Sequence, residues 1–189
     1  MAKHVARGDE VTIYVVTDSG YTDYAKKVIR DASIAHAEGV EAAAILGADL
    51  ICGDCEALHV EYNFGLISSI KEIIDERQID TVYTHWIDDV NQDHHRISQA
   101  TFTAARHVPR LLMYRSNWYH SSTHFKGNFY VDTSDTVEKK IAAIKAHRSE
   151  YERVGEKWLQ FTLNQNQNAG YIIEVPYAEA FEVIKYLVD

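Results

Sequence analysis

The chain of 189 residues is 46% hydrophobic and carries a net charge of −9, a soluble composition that suits one domain and disfavours nucleic acid as a partner. It shows no signal-peptide pattern and no apolar run of the roughly 18 residues that span a membrane, so we expect a cytoplasmic protein with no membrane partner. Two cysteines are too few for a disulfide-stapled secreted scaffold.

Strand and helix patterns alternate along the chain. They predict a strand at residues 11–16, a helix from about 22 to 46, a strand at 50–52, a helix at 66–77, a strand at 80–85 and a helix from 93 to about 106. Further on they predict strands at 111–114 and 129–131, a helix at 135–147, a surface loop at 164–168 and a closing helix at 177–188. This order predicts an α/β fold, a Rossmann-like parallel sheet with helices on both faces.

Histidines and aspartates are concentrated directly after the strand at 80–85. Three imidazoles and three carboxylates occur between His85 and His95. The carboxyl ends of strands are where open α/β sheets bind ligands, and imidazole and carboxylate groups suit zinc. The pattern therefore indicates a metal site, but a solvated acidic loop that caps the next helix, with Asp93 at the helix start, explains it equally well.

The same stretch has the spacing His85-x-x-Asp88-Asp89-x-Asn91-x-Asp93-His94. This spacing resembles the TH…D-x-N-Q-D-H segment of the LmbE/PIG-L N-deacetylases, which remove acetyl groups from substrates that contain N-acetylglucosamine. Residues 2–20, 38–47, 125–150 and 178–181 are similar to further motifs of this family, in the same order. His36 stands where arginine is usual, and Gly127 takes a proline position. The resemblance covers nearly the whole chain and implies one LmbE/PIG-L-like domain over residues 1–189.

Carried over residue by residue, the resemblance implies a zinc ligand at His94. Asp93 would orient a group at the metal, and Asn91 would face the substrate and donate a hydrogen bond to the oxyanion. The other positions that it places near the substrate or behind the ligands are His85, Asp89, His147, Ser149 and Glu38. For His85 the alternative is a hydrogen-bonded core histidine, for His147 and Ser149 an exposed helix end, and for Glu38 a residue covering a helix face.

The family's H-P-D-D-E run, which carries a base and two zinc ligands, has no counterpart in this sequence. We therefore expect the chain to enter the family domain after its first strand, with that strand missing from the sheet. We also expect zinc to bind weakly or not at all, because one imidazole does not make a catalytic zinc site. An uncovered strand edge favours association, so we expect a homo-oligomer.

The resemblance implies zinc-dependent hydrolysis of the N-acetyl group of an amino-sugar conjugate, with a small-molecule sugar as the partner and acetate as a product. One alternative is a non-catalytic binding or assembly module of the same fold that has lost its metal site. Another is a thiol redox protein, suggested by Cys52-Gly53-Asp54-Cys55. No tryptophan precedes the first cysteine, which argues against the redox alternative.

Overall fold

The computed structural model describes residues 1–188, a mixed α/β chain, which confirms the predicted class. The helices are α1 (Ala2–Ala6), α2 (Ala32–Leu46), α3 (Phe64–Glu76), α4 (Gln92–Ala104), α5 (Val137–Ala146), α6 (Arg148–Val154) and α7 (Glu156–Ile172). The strands are β1 (Thr12–Thr17), β2 (Tyr21–Thr22), β3 (Val28–Arg30), β4 (Asp49–Cys55), β5 (Thr81–His85), β6 (Arg110–Tyr114), β7 (Phe129–Asp132) and β8 (Ala178–Tyr186). Within residues 1–188, no helix combines the length and the apolarity that crossing a bilayer requires.

The chain groups into two compact units. The first comprises Met1–Ala57 and Val131–Glu179, and the second comprises Leu58–Tyr130 and the segment from Ala180 onward. The prediction of one family domain over residues 1–189 stays a prediction.

The first unit contains the parallel pair β1–β4, in which Thr12 lies opposite Asp49. Its helix α2 ends at Gly47, whose φ of 76° lies in the left-handed region that glycine adopts without strain. Small side chains let the helices of this unit approach closely around a core. The buried members of that core are Ala2, Ala42, Leu46, Ala143 and Ala146.

Two predictions in the first unit were wrong. The helix expected from about residue 22 begins only at Ala32, because the Asp31 carboxylate accepts hydrogen bonds from the N–H groups of Ser33 and Ile34 and starts the helix there. The residues before it form the antiparallel hairpin β2–β3. The surface loop expected at 164–168 lies inside α7, where the buried Asn166 accepts a hydrogen bond from Lys140 Nζ at 2.8 Å.

The second unit is built around β6, where Leu111, Leu112 and Met113 are buried. The strand order of this sheet is β5-β6-β8-β7, with β5 and β6 parallel. The closing helix expected at 177–188 was wrong, because these residues form β8 and pair antiparallel with β6. The sheet is therefore not wholly parallel, and backbone pairing with β6 overrides the helical pattern of the side chains.

Candidate functional site

The first turn of α4 presents the aspartate–histidine segment at the carboxyl end of β5. Asn91 caps this helix, and its side-chain Oδ1 accepts hydrogen bonds from the N–H groups of Asp93 (2.9 Å) and His94 (3.3 Å). A backbone N–H can only donate, so Oδ1 faces the helix and the Asn91 Nδ2 group faces away from it. Asn91 thus keeps two N–H donors for another group, as its proposed role at an oxyanion requires.

Asp89 is the carboxylate that contacts His94. Its Oδ2 lies 3.1 Å from His94 Nδ1, and its side chain is only 2% exposed. It also accepts hydrogen bonds from Asn91 N (2.8 Å), Ser116 Oγ (3.1 Å) and Asn117 Nδ2 (2.6 Å). Burial raises the pKa of Asp89, but the hydrogen bonds from His94 and Asn91 N and the charge of His94 outweigh it and hold that pKa well below its ordinary value.

The ionised Asp89 fixes which nitrogen of the neutral His94 imidazole carries the proton. A carboxylate that can only accept requires the proton on Nδ1, which in the neutral ring leaves a lone pair on Nε2. Nε2 makes no hydrogen bond to any of residues 1–188, and the His94 side chain is 26% exposed. A histidine held at one nitrogen by a carboxylate and free at the other is the arrangement that metal-binding and proton-accepting histidines use.

His85 supports His94 from one side. The two rings stack with centroids 3.8 Å apart and an angle of 4° between their planes. Burial, together with the neighbouring His94, lowers the pKa of His85 to about 3, so its ring is neutral. The lone pairs of stacked rings lie in parallel planes and cannot converge on one ion, so His85 is not a second ligand beside His94. Its buried Nδ1 has no hydrogen-bond partner within the described part of the chain.

The Asp93 carboxylate binds backbone N–H groups of the segment before α3. Its two carboxylate oxygens accept hydrogen bonds from the N–H groups of Leu58 (2.6 Å) and Val60 (3.2 Å). The side chain therefore fastens the segment before α3 to the first turn of α4. The resemblance implied that Asp93 orients a group at the metal. In the structure, the carboxylate that contacts His94 is that of Asp89.

Glu38 and Ser149, both named from the resemblance, meet within the first unit. The buried Glu38 carboxylate accepts hydrogen bonds from Ser149 N and Oγ, both at 2.7 Å, and from Arg30 Nη2 at 2.9 Å. The arginine expected at position 36 is replaced by an exposed histidine, and Arg30, just before α2, supplies the guanidinium. The signal for Arg30 in the sequence is its position directly before Asp31, the N-cap of α2.

His147 lies at the junction of α5 and α6, in the same unit as Glu38. Its side chain is half-buried, so the exposed helix end considered from the sequence does not describe it. Burial lowers the pKa of His147, and the positive charge of Arg30 lowers it further. A lowered pKa favours the neutral imidazole, which weakens any interaction of His147 with the helix dipole.

A complete metal centre is not formed by the described residues. Within 1–188, no group of three histidine, cysteine, aspartate or glutamate side chains could hold a metal ion. His94 fits one ligand position, but this donor set does not fit the zinc site that the resemblance implies. Within residues 1–188, Cys52 and Cys55 on β4 form no disulfide, and burial raises the pKa of Cys52, opposite to the lowered pKa of a reactive thiol.

The fold and the site define a mixed α/β protein with an oriented histidine at the carboxyl end of a parallel strand. The family model described as GlcNAc-PI de-N-acetylase, PIG-L, matches residues 1–105, more than half of the chain. The chain belongs to this family. A comparison with curated proteins finds no match.

Solved structures share the fold. The conserved protein TT1542 from Thermus thermophilus is 20% identical, with a TM-score of 0.81 over 100% of this chain and 87% of its own. The N,N'-diacetylchitobiose deacetylase from Pyrococcus horikoshii is 23% identical, with a TM-score of 0.80 over 97% and 76%. GalB, the 4-carboxy-2-hydroxymuconate hydratase from Pseudomonas putida KT2440, is 17% identical, with a TM-score of 0.77 over 100% and 89%. This last similarity shows that the fold also hosts a reaction other than deacetylation.

Proposed function

We propose that this chain belongs to an N-deacetylase domain that, together with an H-P-D-D-E segment, hydrolyses the N-acetyl group of an amino-sugar conjugate and releases acetate. The observation that carries the proposal is the His94 imidazole, held by Asp89 at Nδ1 and free at Nε2, in a chain of the PIG-L family. The activity of the Pyrococcus horikoshii relative on N,N'-diacetylchitobiose supports a sugar substrate. The small-molecule partner and the cytoplasmic location remain predictions from the sequence.

Two side chains of the first turn of α4 have defined tasks in this proposal. His94 offers the Nε2 lone pair as a ligand to the metal that the family resemblance implies. Asn91 offers the Nδ2 hydrogens, and a donor aimed at the developing oxyanion stabilises the tetrahedral intermediate of amide hydrolysis. In the neutral imidazole, the hydrogen bond to Asp89 selects the tautomer that carries its proton on Nδ1 and none on Nε2.

Zinc is the metal that the resemblance implies, and His94 is the side chain that we propose as its ligand. The described residues supply no second and third ligand around it, so other groups must complete the shell. We assign no catalytic step to zinc on residues 1–188. The chain alone should bind zinc weakly, and hydrolysis should require the ligands that an H-P-D-D-E segment supplies.

The test measures acetate released from N,N'-diacetylchitobiose and from an N-acetylglucosaminyl phosphatidylinositol, with zinc added. It compares the chain with a version extended at its N-terminus by the H-P-D-D-E segment of the family. We expect release by the extended version, and loss of release on His94→Ala. The exposed His107→Ala is the matched control and should retain activity. An extended protein that holds zinc yet releases no acetate from either substrate would refute the proposal.

The proposed role of Asn91 as a donor to the oxyanion can be separated from its role as the N-cap of α4. Asn91→Asp keeps a side chain that caps a helix as well as asparagine does, but it removes the Nδ2 donors. If those donors stabilise the oxyanion, kcat should fall by about 10²–10³ with the stability unchanged. An unchanged kcat in Asn91→Asp would remove this residue from the reaction.

A second candidate function is a module that binds N-acetylated sugars without hydrolysing them. The incomplete set of metal ligands within residues 1–188 favours it. Calorimetry of the chain with N,N'-diacetylchitobiose separates the two candidates. Binding that persists in an extended version incapable of releasing acetate would establish the second.

A further inference from the structure

The loop after β6 reaches the candidate site through two side chains that the sequence patterns did not single out. Asn117 Nδ2 donates a hydrogen bond to Asp89 Oδ1 at 2.6 Å, and Ser116 Oγ donates to Asp89 Oδ2 at 3.1 Å. β5 and β6 are parallel neighbours, so the segments that follow them emerge at the same edge of the sheet. The carboxylate behind His94 is thus held from the adjacent strand.

The Asn117 amide can adopt only one orientation. Its Oδ1 accepts a hydrogen bond from Tyr119 N at 3.0 Å, and its backbone oxygen accepts one from Arg115 Nε at 3.0 Å. Because the Tyr119 N–H can only donate, Oδ1 must face it and the Nδ2 group must face Asp89. Asn117 is therefore a fixed donor to the carboxylate.

This donor helps to orient the Asp89 carboxylate toward His94. Asn117 and Asn91 N occupy Oδ1, which leaves Oδ2 for His94 Nδ1 and Ser116 Oγ. Without the bond from Asn117, Oδ1 keeps only the donor Asn91 N, and the carboxylate is held less firmly about its last side-chain bond. The hydrogen bond from His94 Nδ1 to Oδ2 then weakens, and the Ser116 hydroxyl, which lies 3.1 Å from both Oδ2 and Nδ1, can donate to Nδ1 instead.

We propose that Asn117 is a positioning residue, which holds Asp89 so that His94 stays protonated at Nδ1 with Nε2 free. The effect on hydrolysis rests on the proposed deacetylase function. The effect on the imidazole does not, because it follows from hydrogen bonds among four described side chains.

The first readout is the tautomer of His94 in the whole chain without substrate or metal. Protein labelled with ¹⁵N at histidine is examined by two-bond nitrogen–proton correlation at about pH 8, above the titration range of an ordinary histidine. We expect wild-type His94 to carry its proton on Nδ1. Asn117→Asp turns the donor into an acceptor facing Asp89, and we expect it to move the proton to Nε2 or to give a mixture.

Two controls accompany this measurement. Asn63→Asp is the same exchange at the N-cap of α3, where aspartate caps equally well, and it should leave His94 unchanged. His95 is an internal control, because its Nδ1 donates to the Ile87 carbonyl and should stay protonated in every variant. Asn117→Ala, which adds no charge, gives a second variant whose folded state the His95 signal verifies.

The second readout is hydrolysis by the extended version. Asn117→Ala should lower kcat by about 10- to 100-fold with little change in KM, the usual cost of removing a group that orients a functional histidine. An Nδ1–H tautomer that survives in both Asn117 variants would overturn the inference, whatever the acetate assay shows. A shifted tautomer in a protein that never releases acetate would leave the inference standing and refute the deacetylase function.

Discussion

Replacing Glu38 by alanine removes the anion from a buried network in the first unit. The side chains of Arg30 and Glu38 are only 11% and 4% exposed, and Ser149 donates to Glu38 through both N and Oγ. The variant leaves the Arg30 guanidinium without its ion-pair partner and two Ser149 donors without their acceptor. Breaking a buried pair on one side costs about 3–5 kcal/mol. We expect the free energy of unfolding to fall by that amount.

Urea denaturation measures this loss as a lower midpoint with an unchanged slope. The matched control is Glu41→Ala on the same helix, whose ion pair with Arg148 is 45% and 58% exposed and should contribute less than about 1 kcal/mol. Adding Arg30→Met to Glu38→Ala should recover part of the loss, because no unpaired buried charge remains. Equal effects at Glu38 and Glu41 would refute the reasoning.

Burial raises the pKa of Glu38, but the hydrogen bonds from Ser149 and Arg30 and the charge of Arg30 outweigh it and lower that pKa. The ionised Glu38 therefore stabilises the fold fully above about pH 4.5, and this contribution is lost as the pH falls through the lowered pKa. The stability deficit of Glu38→Gln should therefore be largest near neutral pH and shrink under acid, as measured by urea denaturation at several pH values. Asp93→Ala should lower the free energy of unfolding by about 1–3 kcal/mol, because two N–H groups near α3 lose their acceptor; an unchanged urea midpoint would contradict this. Zinc analysis after dialysis should find well under one ion per chain, and His94→Ala should remove what binding remains. Within residues 1–188, β1 pairs only with β4, so its other edge should drive self-association, and a monomer by light scattering would contradict this.

The sequence predicted most elements whose pattern is local. The β-branched residues of β1 and β5 and the apolar spacing of α3 mark these elements, and the structure has them within one or two residues of the expected bounds. The errors lie where a distant partner decides. β8 looks helical from its side chains, and only pairing with β6 makes it a strand. The polar run in α7 has the composition of a loop, and its Asn166 is buried in a helix because it accepts a hydrogen bond from Lys140.

The candidate site divides in the same way. The motif around His94 and the cap at Asn91 follow from residues close together in sequence, because a helix N-terminus is built from its own first turn. The groups that hold Asp89 come from the loop after β6, more than twenty residues later, and Arg30 meets Glu38 and Ser149 only through the fold. The local sequence motif was thus enough to identify His94 as the candidate residue and to indicate the protein family. Tertiary packing decided its orientation, since a hydrogen bond depends on where two side chains meet in space and not on their separation along the chain.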